Sequence, residues 1–173
     1  MNLTFKVAIF DLDHTLWDGK KLFPGIRKIL EQLRRENIDL YVASFHLEAK
    51  KCCDLLGITH YFKKIVYGRD KTKFEMIKDI TKNFSKCIDQ TEIAFFDDTF
   101  ENILDVKTKC RIQAYLINRQ FGLRWQDIPK KQKMYGDEKS IICNRSINLE
   151  RKNNSLFSKY SLRGNNIFIR TPL

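Results

Sequence analysis

The hydrophobic positions of this chain alternate between two periods. Residues 7–10 form a continuous apolar run. Residues 38–44 (IDLYVAS), 62–67, 93–96 and 113–117 are further short stretches rich in branched and aromatic side chains, the pattern of buried strands. Between them the spacing lengthens. Ile26, Ile29, Leu30 and Leu33 fall at i, i+3, i+4 and i+7, which predicts a helix that follows Phe23-Pro24-Gly25 and ends near Asn37. Residues 47–56 read as a helix stopped by Gly57. Residues 74–84 read as another, with Phe74, Ile77 and Ile80 on one face, and residues 103–108 as a fourth. Strand and helix thus alternate from Lys6 to about Ile117, which predicts an α/β fold: a doubly wound parallel sheet with helices on both faces.

Two of the predicted strands end in acid. The first apolar run is followed by Asp11 and Asp13, the fourth by Asp97 and Asp98. Open parallel sheets bind ligands at the carboxyl ends of their strands. Carboxylates at the mouth of a buried strand are costly unless a cation or protons compensate them. Each Asp pair alone can be explained as the cap of a turn or helix. Two such ends in one small chain predict adjacent strands that share a hard, oxygen-preferring cation such as Mg²⁺.

Composition narrows the class. A chain of 173 residues with 43% hydrophobic and 31% charged residues can build one domain with a proper core. No apolar stretch is long enough to span a bilayer, and the only apolar stretch near the N-terminus is interrupted by Asp11 and Asp13, so no secretory signal is read there. Five cysteines (Cys52, Cys53, Cys87, Cys110 and Cys143) without a CxxC pairing point to free thiols in a reducing compartment. The expectation is a soluble, cytoplasmic protein. The net charge of +11 is uneven: residues 1–128 hold 22 Lys and Arg against 18 Asp and Glu, and residues 129–173 hold 10 against 3. Strand–helix alternation also fails beyond Trp125. This predicts a domain over 1–128 and a basic extension over 129–173 that either contacts polyanions or is simply solvated.

The motifs resemble a known family. FDLDHTLW at 10–17 is similar to the first motif, DxDxT, of the haloacid dehalogenase superfamily. Ser44 ends a hydrophobic strand as the second motif's hydroxyl residue does, and FFDD at 95–98 resembles the fourth motif. LFPG at 22–25, VAS at 42–44, the G-x-x-K-T-K-F stretch at 68–74 and FFDDTFENILDV at 95–106 look like the magnesium-dependent phosphatase branch. The resemblance covers about residues 4–128.

That resemblance implies a role for each motif residue. Asp11 would be the nucleophile that forms an aspartyl-phosphate. Asp13 would protonate the leaving oxygen and then deprotonate water, which implies phosphate-ester hydrolysis. Asp11, the backbone carbonyl of Asp13, and Asp97 would bind Mg²⁺, with Asp98 ligating through water or orienting its neighbour. Ser44 and a lysine would hold the phosphoryl oxygens. Lys71 and Lys73 both precede Phe74, and Lys71 matches the usual distance to that phenylalanine better. His14, His46 and Trp17 are read as a variable position, a helix-leading residue and an apolar wall of the flap.

Spacing predicts what is missing. Thirty-one positions separate Asp13 from Ser44 and twenty-six separate Lys71 from Asp97. The predicted elements consume both, leaving no room for a cap domain. An uncapped site suits a phosphoprotein or another large phosphorylated substrate, although a small phosphorylated molecule also fits. Two alternatives stand beside this: a nucleic-acid 3′-phosphatase that uses the basic extension, and a catalytically idle binding protein.

Overall fold

The computed structural model describes residues 3–82, 84 and 88–131. The basic extension expected over 129–173, with its polyanion contact, lies almost entirely outside the described residues.

Five parallel strands carry the fold. They are β1 (Val7–Phe10), β2 (Asp39–Ser44), β3 (Lys64–Tyr67), β4 (Ile93–Asp97) and β5 (Gln113–Leu116), arranged in the order β3-β2-β1-β4-β5. The helices are α1 (Ile26–Arg35), α2 (Ala49–Leu55), α3 (Lys73–Thr81) and α4 (Phe100–Lys109). The expected doubly wound sheet is therefore present. Among the described residues no cap domain is inserted.

Alternation along the strands divides the core in two, because successive strand side chains face opposite ways. Ala8, Phe10, Leu40, Val42, Ala94 and Phe96 pack with the buried stripe of α1 and with Ala49, Cys52 and Cys53 of α2. Val7, Ile9, Tyr41, Ala43, Ile93 and Phe95 pack with Met76, Ile77 and Ile80 of α3 and with Ile103 and Val106 of α4. The central strand β1 is buried along its whole length, as its unbroken apolar run requires.

Several element ends differ from expectation. Helix α1 stops at Arg35, and Asn37 sits at φ 58°, a left-handed conformation that asparagine tolerates. Helix α4 starts three residues before the predicted 103. Its first turn holds the exposed Phe100 and Glu101, so no apolar periodicity marked it. Three single turns of 3₁₀ helix, at Thr59–Tyr61, Gln90–Glu92 and Trp125–Asp127, were not foreseen. Past the last of these, Ile128 is buried and Lys130 pairs with Leu3 in an isolated antiparallel bridge.

Candidate active site

Register decides which carboxylates meet. Phe10 pairs with Phe96 across β1 and β4, and the Asp11 amide donates to the Phe96 carbonyl at 2.9 Å. Asp11 and Asp97 therefore continue the ladder side by side, on the face that packs against α3 and α4. Both are buried. Side-chain oxygens of Asp11, Asp97 and Asp98 all lie within 4.8 Å of one another.

Lys73 answers this charge from α3. Its side chain is 1% exposed, and Nζ reaches Asp11 Oδ1 at 2.6 Å, Asp97 Oδ2 at 3.3 Å and the Ala43 carbonyl at 2.7 Å. The Phe45 ring lies 4.7 Å from the ammonium, a further cation–π contact. The helix start fixes this placement. Thr72 is the N-cap, accepting from the Glu75 amide at 3.3 Å while the Glu75 carboxylate accepts from the Thr72 amide at 2.8 Å, a capping box. Residue 73 then falls on the same stripe as Met76, Ile77 and Ile80.

The structure places Lys71, the lysine expected at the site, away from this cluster. Lys71 lies outside the helix, where Nζ pairs with Asp79 at 2.6 Å and is partly solvated; that carboxylate raises the Lys71 pKa. The signal was present in the sequence, because positions 73, 76, 77 and 80 have the i, i+3, i+4, i+7 spacing of an inward stripe. A lysine on that stripe must find acid or carbonyl partners inside.

The other motif residues, Thr15 apart, have partners of their own. Ser44 is fully buried at the end of β2, and its Oγ accepts from the His46 amide at 3.1 Å. Asp97 is held from α4: Oδ1 accepts from the Thr99 amide at 2.8 Å, and Asn102 Nδ2 reaches both carboxylate oxygens at 3.1 Å. Asn102 had no role in the sequence reading. Asp98 pairs with Arg119 Nε at 3.1 Å, the acid 4% exposed and the arginine 67%. Asp13 has no side-chain oxygen in the acidic cluster. Its Oδ1 instead accepts from Trp17 Nε1 at 2.8 Å. Thr15 is fully buried, and its Oγ1 has no partner.

Burial dominates the electrostatics, with neighbouring charges second. Burial pushes the Asp11 pKa up to about 6, the Lys73 charge opposes this and the Asp97 charge adds to it. Burial and then Asp97 also raise Asp98, against Arg119. Three clustered carboxylates face two cations, an excess of negative charge, but it is burial first that holds the nearest acid well above its ordinary range with Lys73 in contact. A hard cation among these oxygens would relieve that excess.

Comparison with known proteins gives the family and the fold. The profile of a family described as haloacid dehalogenase-like hydrolase matches residues 16–104, just over half of the chain. The chain belongs to this family. The match begins after Asp11 and Asp13, whose placement comes from the strand register. A curated human relative, Magnesium-dependent phosphatase 1, is 27% identical over an alignment of 153 positions, covering 71% of this chain and 82% of that protein. Among solved structures, a haloacid dehalogenase-like family hydrolase from Streptococcus pneumoniae shares the fold with a TM-score of 0.58 at 17% identity, covering 72% of this chain and 89% of that one. The N-terminal part of a Bacteroides fragilis protein, containing a phosphatase domain complexed with Mg, gives the same TM-score and identity, covering 72% of this chain and 39% of that one. Among the described residues no helix is long and apolar enough to cross a membrane.

Proposed function

We propose that this haloacid dehalogenase-like hydrolase is an Mg²⁺-dependent phosphatase that cleaves phosphate monoesters through an aspartyl-phosphate on Asp11. The observation that carries the reading is the buried cluster of Asp11, Asp97 and Asp98 answered by Lys73. Its all-oxygen donor set and excess of negative charge fit a hard divalent cation. The named human relative supports the same metal and reaction.

Asp11, Asp97 and the backbone carbonyl of Asp13 would hold the ion, with Asp98 beside them. When bound, Mg²⁺ screens the repulsion between an anionic nucleophile and an anionic phosphate. The remaining steps belong to the chain. An Asp11 oxygen forms a bond to phosphorus while the bond to the leaving oxygen breaks, and Asp13 gives that oxygen its proton. Water then attacks the phosphorus, gives its proton to Asp13 and releases phosphate from Asp11. Lys73 and the Ser44 hydroxyl hold the phosphoryl oxygens as charge develops on them. The absence of a cap among the described residues supports access for a phosphoprotein or another large phosphorylated substrate. The free, largely buried Cys52, Cys53 and Cys110 support a reducing, cytoplasmic setting.

The test is a panel of phosphoserine peptides, sugar phosphates, 3′-phosphorylated oligonucleotides and p-nitrophenyl phosphate, assayed with Mg²⁺, with chelator and with Ca²⁺. Hydrolysis that needs Mg²⁺, stops in chelator and is poorly restored by Ca²⁺ is expected, because Ca²⁺ takes more ligands in looser geometry. Full activity in chelator, or no hydrolysis of any substrate, overturns the proposal.

A further inference from the structure

The chain leaves β1 through a tight turn. His14 adopts φ 55°, its amide donates to the Trp17 carbonyl at 2.8 Å, and the Leu16 and Trp17 amides donate to the Leu12 carbonyl at 3.0 and 3.2 Å. This folds Trp17 back toward Asp13, four residues earlier, and the indole N–H meets Asp13 Oδ1 at 2.8 Å. Trp17 is held in two further ways, one on its backbone and one on its ring. Trp17 bridges to Leu22 across the flap, and its indole packs edge-on against the His46 ring, with centroids 5.7 Å apart and planes at 73°. His46 is itself held, since its amide donates to Ser44 Oγ and its Nδ1 accepts from the Glu48 amide, both at 3.1 Å.

An indole N–H can only donate. The Asp13 oxygen that it occupies is held as an acceptor, and because a carbonyl oxygen accepts better than a hydroxyl, a proton on Asp13 is favoured on the other oxygen. We infer that Trp17 is a positioning residue for proton transfer: it locks the Asp13 carboxyl so that Oδ1 is structural and Oδ2 alone exchanges protons with the leaving oxygen and with water. This rests on the acid–base role proposed for Asp13. In the first half-reaction the Oδ2 proton goes to the leaving oxygen as its bond to phosphorus breaks. In the second, a water proton returns to Oδ2 as the water oxygen binds phosphorus and the bond to Asp11 breaks. The arrangement adds to the expected role of Trp17 as an apolar wall. A wall needs only the ring, whereas this role needs the N–H.

Trp17→Phe keeps an aromatic ring and removes the donor. A site-specific benzothienylalanine at position 17 keeps the whole bicyclic shape and also lacks the N–H, so it remains informative if the phenylalanine variant folds poorly. Both are compared with the parent on an alkyl phosphate and on p-nitrophenyl phosphate, alone and combined with Asp13→Asn, with thermal unfolding as a control. The expected result is a loss in kcat of roughly tenfold on the alkyl phosphate, whose leaving group needs a proton, and about twofold on the activated ester. KM should be unchanged, and no further loss should appear in the Asp13→Asn background. Equal losses on both substrates, a change confined to KM, or an undiminished loss beside Asp13→Asn would overturn the inference. A fully active Asp13→Asn enzyme would instead remove the acid–base reading on which it rests.

Discussion

The C-terminal ends of β1 and β4 look alike in sequence, each an apolar run closing on two aspartates, yet the fold treats them differently. At β4 the next element is a helix. Its first turn brings the Thr99 amide and the Asn102 side chain onto Asp97, so that carboxylate is held by fixed donors. At β1 the chain instead turns through His14, and the first acid meets the buried Lys73 ammonium and the Leu12 amide. Burial raises Asp11, while Asp13 is drawn away to Trp17. A carboxylate fixed by neutral donors suits a metal ligand. One facing a single ammonium, beside a second buried acid, suits a group that reacts. Under the proposed mechanism, the few residues that follow each strand leave Asp97 to hold the metal and Asp11 to react as well as hold it.

The largest test of this contrast is Asp11→Asn. Turnover should fall roughly a thousandfold or more, because the amide cannot attack phosphorus, while circular dichroism and the unfolding midpoint show a retained fold. Substantial residual turnover would move the nucleophile away from β1.

Next is the choice between lysines. Lys73→Met leaves Asp11 and Asp97 buried without their ammonium, and should cost about 3–5 kcal/mol of stability in chelator. It should also lower turnover by about a hundredfold or more, measured with saturating Mg²⁺. Lys71→Met removes only a partly solvated pair with Asp79, so its effect on stability should stay within about 1 kcal/mol, with turnover close to the parent. Reversed effects would restore Lys71 to the site.

The raised Asp11 pKa makes a third test, run without metal. Its ordinary value of 3.8 rises to about 6 in the folded state. Between those values the folded state keeps a proton that the unfolded chain has released. Stability contributed by this group is therefore greatest below about pH 4 and is lost as pH rises to about 6, a loss on the order of 3 kcal/mol. Denaturant titrations in chelator should show this decline, and Asp11→Asn should abolish it. A decline that persists in the variant would assign the titration elsewhere.

The smallest effect expected is on the holding side. Asn102→Ala removes the donor that spans both Asp97 oxygens, so Mg²⁺ should bind about 10–100-fold more weakly by calorimetry. Because Thr99 still donates, the fold should persist. Unchanged Mg²⁺ affinity would show that Asp97 needs no support from α4.

Much of this was legible along the chain. The apolar runs predicted the five strands among the described residues, most plainly β1 and β4, because a strand buried on both faces must be apolar throughout. The i, i+3, i+4, i+7 spacing located α1, and the two aspartate-ended strands marked the site. The first turn of α4 was not legible, since its exposed residues carry no apolar period. Asn102 was overlooked for the same reason, although its place five residues after Asp97 follows once the helix starts at Phe100.

What the sequence by itself determined is the order of strands and helices and the set of acidic positions at the strand ends, because period and polarity are local properties that survive without knowledge of partners. What only the tertiary structure decided is which of these groups touch. The pairing of Phe10 with Phe96 sets Asp11 beside Asp97, the capping box at Thr72 turns Lys73 rather than Lys71 inward, and the turn at His14 hands Asp13 to Trp17. Each depends on register or on the direction of one element relative to another, and a change of one residue in either would carry the side chain to a different face.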